Sequence, residues 1–110
     1  MKLPHANIAI IDREKVTEYL LNPSHPDNGG KAAFFLALGF RTDDWLSLAG
    51  ALRLLAESVE VQSSMESLHG QKYIIEGVIE TPSQRIPAVP TVWIVDYGHE
   101  VPRLVTAYPR

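Results

Sequence analysis

A chain of 110 residues has room for one domain, long enough to bury roughly two thirds of the surface that its extended form exposes. Its 45% apolar and 21% charged residues suit an ordinary globular protein, and a net charge of −3 excludes one that coats nucleic acid through bulk electrostatics, DNA included, while leaving room for a local basic groove. The absence of cysteine excludes a disulfide, a thiolate nucleophile and a cysteine zinc site.

No apolar run approaches the length of a membrane span, and the start, Met1-Lys2-Leu3-Pro4-His5, lacks the apolar core of a signal peptide. The chain therefore reads as cytoplasmic, unless a larger secreted protein carries it at its end. In chain order, Asn7 to Ile11 form a short apolar run. Asp12 then offers an N-cap for a helix over about Arg13 to Leu21, with Val16, Tyr19 and Leu20 on one face. Asn22-Pro23 stops it and opens a polar loop, Asn22 to Gly30, whose two prolines and two glycines forbid regular structure. Lys31 opens a second helix to about Leu38, apolar nearly all round and ended by Gly39, which predicts deep burial. Thr42 caps a third helix, with Asp43 and Asp44 at its positive end. Trp45, Leu48, Ala49, Leu52, Leu55, Ala56 and Val59 keep helical spacing along it.

The period then changes. Val59 to Gln62, Lys72 to Ile75, Thr91 to Val95 and Leu104 to Thr106 are rich in β-branched and aromatic residues, with turn signals at Leu68-His69-Gly70, Thr81-Pro82-Ser83 and Tyr97-Gly98-His99-Glu100. This predicts an α+β domain over 1–110: three N-terminal helices in 1–58, packed on one face of a four-stranded antiparallel meander in 59–110. Pro87 and Pro90 mark the third strand as an edge or a bulged segment.

The last strand carries the most chemistry. Strict alternation points Thr106 and Tyr108 to one face with Leu104, and Arg103, Val105 and Ala107 to the other. Two hydroxyls with guanidinium groups nearby can hold a phosphate oxygen. The plainer reading of the same residues is a half-buried edge strand whose Thr and Tyr only pack and hydrogen-bond. Asp96, at the end of the third strand, suits orienting a base or neutralising Arg103, or simply begins a turn. Of the four histidines, none has a second histidine or a carboxylate at metal-ligand spacing, so no metal is expected, and no cofactor fingerprint is present. His69 and His99 sit in turns, His5 near the start, and all three read as surface residues. His25 differs, because Lys31 and the N–H groups of the helix after Gly29-Gly30 follow it, a setting that suits a phosphodiester or an ordinary turn residue. Trp45 and Trp93 fall on apolar faces and read as core.

Lys2-Leu3-Pro4, Ala9 to Asp12, Tyr19 to Asn22, His25-Pro26, Gly30-Lys31-Ala32, Gly39-Phe40, Gly70 to Tyr73, Thr91 to Ile94 and Val101 to Tyr108 form a pattern that spans nearly the whole chain. It resembles a family of small, functionally uncharacterised bacterial domains found alone or at the C-termini of polymorphic toxins. Helices followed by a four-stranded sheet ending in a Thr-x-Tyr strand are also similar to the wider group of ribonuclease toxins that includes barnase, the EndoU nucleases, tRNA-cleaving colicins and messenger-RNA interferases. That resemblance implies metal-independent cleavage, in which the RNA 2′-hydroxyl attacks the adjacent phosphate and leaves a cyclic phosphate. It further implies His25 as base or acid, Lys31 and Arg103 as stabilisers of the phosphorane, and Thr106 and Tyr108 as phosphate-positioning groups, Tyr108 also as a proton donor. RNA would be the substrate, and a cognate antitoxin or immunity protein the partner.

Two features run against it. Many such nucleases are basic, whereas this chain is acidic. A regular strand also cannot aim both Arg103 and Thr106 at one phosphate, so a bulge near Pro102 or an arginine curling round the edge is required. The other reading is a non-catalytic binding module, such as an immunity or adaptor protein, whose acidic balance suits a basic partner. A small-ligand pocket between helices and sheet has no specific signature here.

Overall fold

The computed structural model describes residues 1–28 and 30–110; Gly29, one of the two loop glycines, lies outside the described residues. Four strands, β1 (Ser63–Glu66), β2 (Gly70–Val78), β3 (Ala88–Asp96) and β4 (Arg103–Ala107), form one antiparallel sheet in the order β1-β2-β3-β4. The meander expected from the turn signals is therefore present. Before it come a 3₁₀ turn at Ala6–Ile8, a π-helix at Lys15–Leu20, helix α1 (Lys31–Ala37), a 3₁₀ turn at Thr42–Asp44 and helix α2 (Trp45–Ser58).

Several predicted elements need correction. Among the described residues only α1 and α2 are substantial α-helices, so three regular helices are not formed. The first predicted helix begins with one α-helical turn and then widens into the π-helix, closed by the Leu21 N–H donating to the Val16 carbonyl at 2.9 Å. α1 is not buried all round: Ala32 and Phe35 face the core, while Leu36 is exposed, because α1 packs mainly on the π-helix rather than under the sheet. Val59 to Gln62 is not the first strand. Val61 donates to the Met1 carbonyl at 2.7 Å, and the ladder with β2 starts only at Gln62 and Ser63. β1 was hidden from sequence reading because all four of its residues are exposed, so it has no apolar alternation.

The third strand is interior, not an edge. Pro90 is tolerated there because its carbonyl faces β4, accepting the Tyr108 N–H at 3.1 Å. In an antiparallel pair a residue's N and C=O address the same neighbour, so the missing N–H falls where regular β3–β4 pairing has already ended, at Thr91 opposite Ala107.

One face of the sheet is covered. Ile75, Val89, Trp93, Leu104 and Ala107 join Leu48, Leu52, Leu55 and Ala56 of α2 in the core. At Gly77 a Cβ would stand 2.8 Å from the Val59 side chain, so the glycine lets the end of α2 lie close on β2. The buried Thr91 hydroxyl donates to the Ile75 carbonyl at 2.7 Å and accepts the Trp93 indole N–H at 2.8 Å, which satisfies both polar groups inside the core. Gly39 closes α1 with φ 94°, and a Cβ there would lie 2.9 Å from that of Pro82. No helix among the described residues is long and apolar enough to cross a membrane.

The required bulge exists, but at Val105 rather than near Pro102. Val92 pairs with Thr106 while Trp93 pairs with Leu104, leaving Val105 as the surplus residue. Strict alternation is thereby broken. Leu104 and Ala107 both enter the core, whereas Arg103, opposite Ile94, and Thr106, opposite Val92, share the face turned away from α2.

Candidate functional site

The π-helix, the following loop and the start of α1 meet beside β4. Tyr19 lies at the centre of this meeting, half-buried on the π-helix between the buried Val16 and Leu20. The Lys31 ammonium donates to the Tyr19 phenolic oxygen at 2.6 Å and sits 4.9 Å from the ring centroid. The Lys15 ammonium lies 5.3 Å from the same centroid. The His25 ring meets the Tyr19 ring edge-on, centroids 5.0 Å apart and planes at 88°. The Thr106 hydroxyl, brought to this side by the bulge, stands beside the phenolic oxygen. An open hollow of about 540 Å³, lined by Glu14, Lys15, Glu18, Tyr19, Asn22 and His25, adjoins the group.

The Lys31 hydrogen bond pulls the Tyr19 phenol below its ordinary range. Thr106 and the two ammonium charges add to this, while burial works the other way. Of the four tyrosines, Tyr19 is therefore expected to ionise below the usual value near 10. Ultraviolet titration of the phenols should show this early step in the natural chain. Lys31→Met should move it back up, and an unchanged titration curve would remove Lys31 as its cause.

The loop is built from short turns that aim these groups. Asn22 Oδ1 accepts the Ser24 N–H, and the His25 N–H donates to the Asn22 carbonyl. His25 Nδ1 accepts the Asp27 N–H at 3.1 Å, so the neutral imidazole carries its proton on Nε2 and presents a donor outward. The buried Asn28 Oδ1 accepts the Ala32 N–H at 2.8 Å, and its Nδ2 donates to the Tyr19 carbonyl. Asn28 thus ties the π-helix to α1 and uses one of the helix N–H groups that the sequence left free for an anion.

Arg103 and Tyr108 do not join the phenol. Arg103 makes a two-pronged ion pair with Asp96, at 2.7 Å from Nε and 3.0 Å from an Nη. The pair raises the Arg103 pKa and depresses that of Asp96, which His99 and His69 depress a little further. Those histidines flank Asp96 through the backbone: Gly70 pairs with Asp96, Tyr97 N–H donates to the His69 carbonyl, and His99 N–H donates to the Asp96 carbonyl. The Tyr108 side chain is half-buried and makes no hydrogen bond among the described residues. Among those residues no three metal-ligating side chains converge.

The Asp96 shift has a defined sign. A depressed carboxyl stabilises the folded chain fully above its unfolded value of about 3.9, and that contribution is lost as pH falls through the folded pKa. Acid unfolding followed by circular dichroism should therefore show a shallower loss of stability below the carboxylate range for Asp96→Asn than for the natural chain. Coincident acid limbs would show that the pair adds nothing to stability.

A family model described as "Domain of unknown function (DUF6883)" matches residues 2–110. The chain belongs to that family. No curated protein matches it in sequence. The DUF6883 fold is similar to a chain of a contact-dependent growth inhibition toxin–immunity protein complex from Klebsiella pneumoniae 342, with a TM-score of 0.75 and 16% identity, covering 93% of this chain and 100% of that one. At that identity the likeness is one of fold.

Tyr19 and Asn28 are the residues that sequence reading missed as part of the site. Tyr19 fell on the apolar face of a predicted helix, and only its place at the hollow, with the ammonium groups of Lys15 and Lys31 against its ring, separates it from core. Asn28, three residues before Lys31, carried a usable signal, since a short amide at a helix start commonly binds the first N–H groups.

Proposed function

We propose that this chain is a metal-independent ribonuclease domain, the toxic half of a toxin–immunity pair, with Tyr19, Lys31, His25 and Thr106 at its centre. The observation that carries the reading is the 2.6 Å contact between the Lys31 ammonium and the Tyr19 phenol, beside a histidine and a threonine hydroxyl. The fold it shares with a chain of a toxin–immunity complex adds support.

In this reading the phenolate of Tyr19 takes the proton of the RNA 2′-hydroxyl while that oxygen forms a bond to phosphorus. The bond from phosphorus to the 5′ oxygen breaks, and Lys31 delivers a proton to the departing oxygen. The Tyr19 phenol then passes its proton across their hydrogen bond to the neutral Lys31 amine, which restores the phenolate and the ammonium. His25, with Nδ1 occupied by the Asp27 N–H, donates from Nε2 to a phosphoryl oxygen instead of acting as base. Thr106, beside the phenolic oxygen, offers its hydroxyl to the phosphate. Arg103, tied to Asp96, stands further along the same strand face, where it meets a flanking part of the RNA, and Tyr108 follows Thr106 there.

Incubation of the purified chain with total RNA and tRNA in EDTA tests the proposal. Cleavage that survives chelation and leaves cyclic phosphate ends is the expected result. Intact RNA at all enzyme concentrations would overturn it. It would favour the second reading, an immunity-like binding module, to which the net charge of −3 also points.

A further inference from the structure

Helix α2 carries an unusual stretch, Leu46-Ser47-Leu48-Ala49-Gly50-Ala51-Leu52-Arg53-Leu54, which reads nearly the same in both directions about Gly50. Leu48, Ala49 and Leu52 face the core. The outward row is Leu46, Gly50 and Leu54, four residues apart, with Leu46 65% and Leu54 59% exposed. A glycine in the middle of a helix is unfavourable relative to alanine, and nothing inside the molecule requires it, since a Cβ at Gly50 would meet no atom within 4 Å.

Beside the C-terminal half of this row is a hollow of about 450 Å³, with walls formed by Gly50, Leu54, Leu55, Val59, Val78 and Ile79. Val78 is itself 61% exposed. Leu46 does not line the hollow but projects from the same helix one turn before Gly50. The knob thus stands at the N-terminal end of the row, while the hollow runs from Ser47 and Gly50 towards its C-terminal end.

We propose that this face binds a second copy of the chain, with the two α2 helices crossing antiparallel about a two-fold axis at Gly50. Such an axis exchanges positions equally spaced before and after Gly50. Leu46 of each copy then meets position 54 of its partner and enters the partner's hollow. This is an isologous contact, made twice with the same residues. The glycines meet at the axis, where the missing side chains let the helices approach to the short end of the usual 8–10 Å separation. Burying Leu46, Leu54 and Val78 together supplies the apolar driving force. The sheet face bearing Arg103 and Thr106 is the opposite one, so the dimer leaves Tyr19 and Lys31 open.

Analytical ultracentrifugation over a concentration series, up to about millimolar, tests this without reference to catalysis. The natural chain should pass from monomer to dimer. Leu46→Glu and Gly50→Leu should each weaken the dimer by at least about tenfold. Both should keep the circular dichroism of the dilute natural chain. Leu46→Glu should keep its melting temperature because Leu46 is exposed, and Gly50→Leu should melt no lower, because position 50 has room and leucine favours a helix more than glycine does. A natural chain that stays monomeric throughout, or a dimer untouched by both substitutions, would overturn the proposal. In the first case the face is left for a different protein. The RNA assay is separate: cleavage with no dimer, or a dimer with no cleavage, shows which of the two proposals fails.

Discussion

Lys31→Met is expected to reduce RNA cleavage by about 10²–10⁴-fold, the range typical of removing a positioned proton-transfer group. The lysine is asked for two things in the proposed reaction, holding Tyr19 towards its phenolate form and protonating the departing 5′ oxygen. Tyr19→Phe should produce a loss of the same order while keeping the ring that His25 packs against. Combining the two should cost little more than either alone, since groups that act as one unit do not add. Arg103→Ala should cost less, because its guanidinium is committed to Asp96. The measurement is the initial rate of RNA cleavage in EDTA, with far-ultraviolet circular dichroism to show that each variant is folded. Full activity in both Lys31→Met and Tyr19→Phe would remove this centre. If Arg103→Ala were instead the inactive variant, the chemistry would belong to the Arg103, Asp96, His69 and His99 end of the sheet.

Trp93→Ala should destabilise the chain by about 3–5 kcal/mol, the usual cost of truncating a fully buried aromatic side chain. Trp93 is fully buried, joins the core between α2 and the sheet, and pairs across the ladder with Leu104 next to the bulge. Its loss leaves a cavity, and it also removes one partner from the Thr91 hydroxyl deep in the core. Domains of this kind are stable by only about 5–15 kcal/mol in total, so the variant should be close to unfolding at ordinary temperature. Trp93→Phe keeps most of the volume and should cost less, about 1–3 kcal/mol, chiefly for the broken hydrogen bond. Urea unfolding gives both values. Equal costs for the two variants would show that the indole N–H, not the packing, is what matters at this position.

How far the sequence led depends on how local each signal is. α2 was legible from Trp45 onward because five buried positions repeat at helical spacing, whereas its start was not, since Thr42, read as its cap, lies in a 3₁₀ turn and makes no side-chain cap. The Asp96–Arg103 pairing was one of three readings that the sequence left open for Asp96, and the ion pair formed across neighbouring strands selects it. The nearness of His25 and Lys31 followed from the loop that joins them. β1 escaped notice since exposed residues leave no pattern, and the β-branched Val59 and Val61 that mimicked a strand are used in packing against the core instead. The widening of the first helix into a π-helix was equally invisible, because one extra residue per turn barely alters the apolar period over six residues. Tyr19 could not be assigned to the site from sequence, because its role depends on Thr106, which comes from the other end of the chain.

The surplus residue in β4 has a consequence for how the last strand can vary. Upstream of Val105 the strand keeps one phase and downstream it keeps the other, so the two halves of the outward surface are matched only by the count of residues between them. Deleting Val105 would join Leu104 directly to Thr106 and close the ladder as a regular one, Trp93 opposite Leu104 and Val92 opposite Thr106, with Arg103 and Thr106 still outward and Leu104 and Ala107 still inward. The strand can therefore lose this one residue and keep both faces, which a deletion at a regular position of a ladder cannot do. Homologous chains should accordingly differ by one residue at Val105 without exchanging inside for outside.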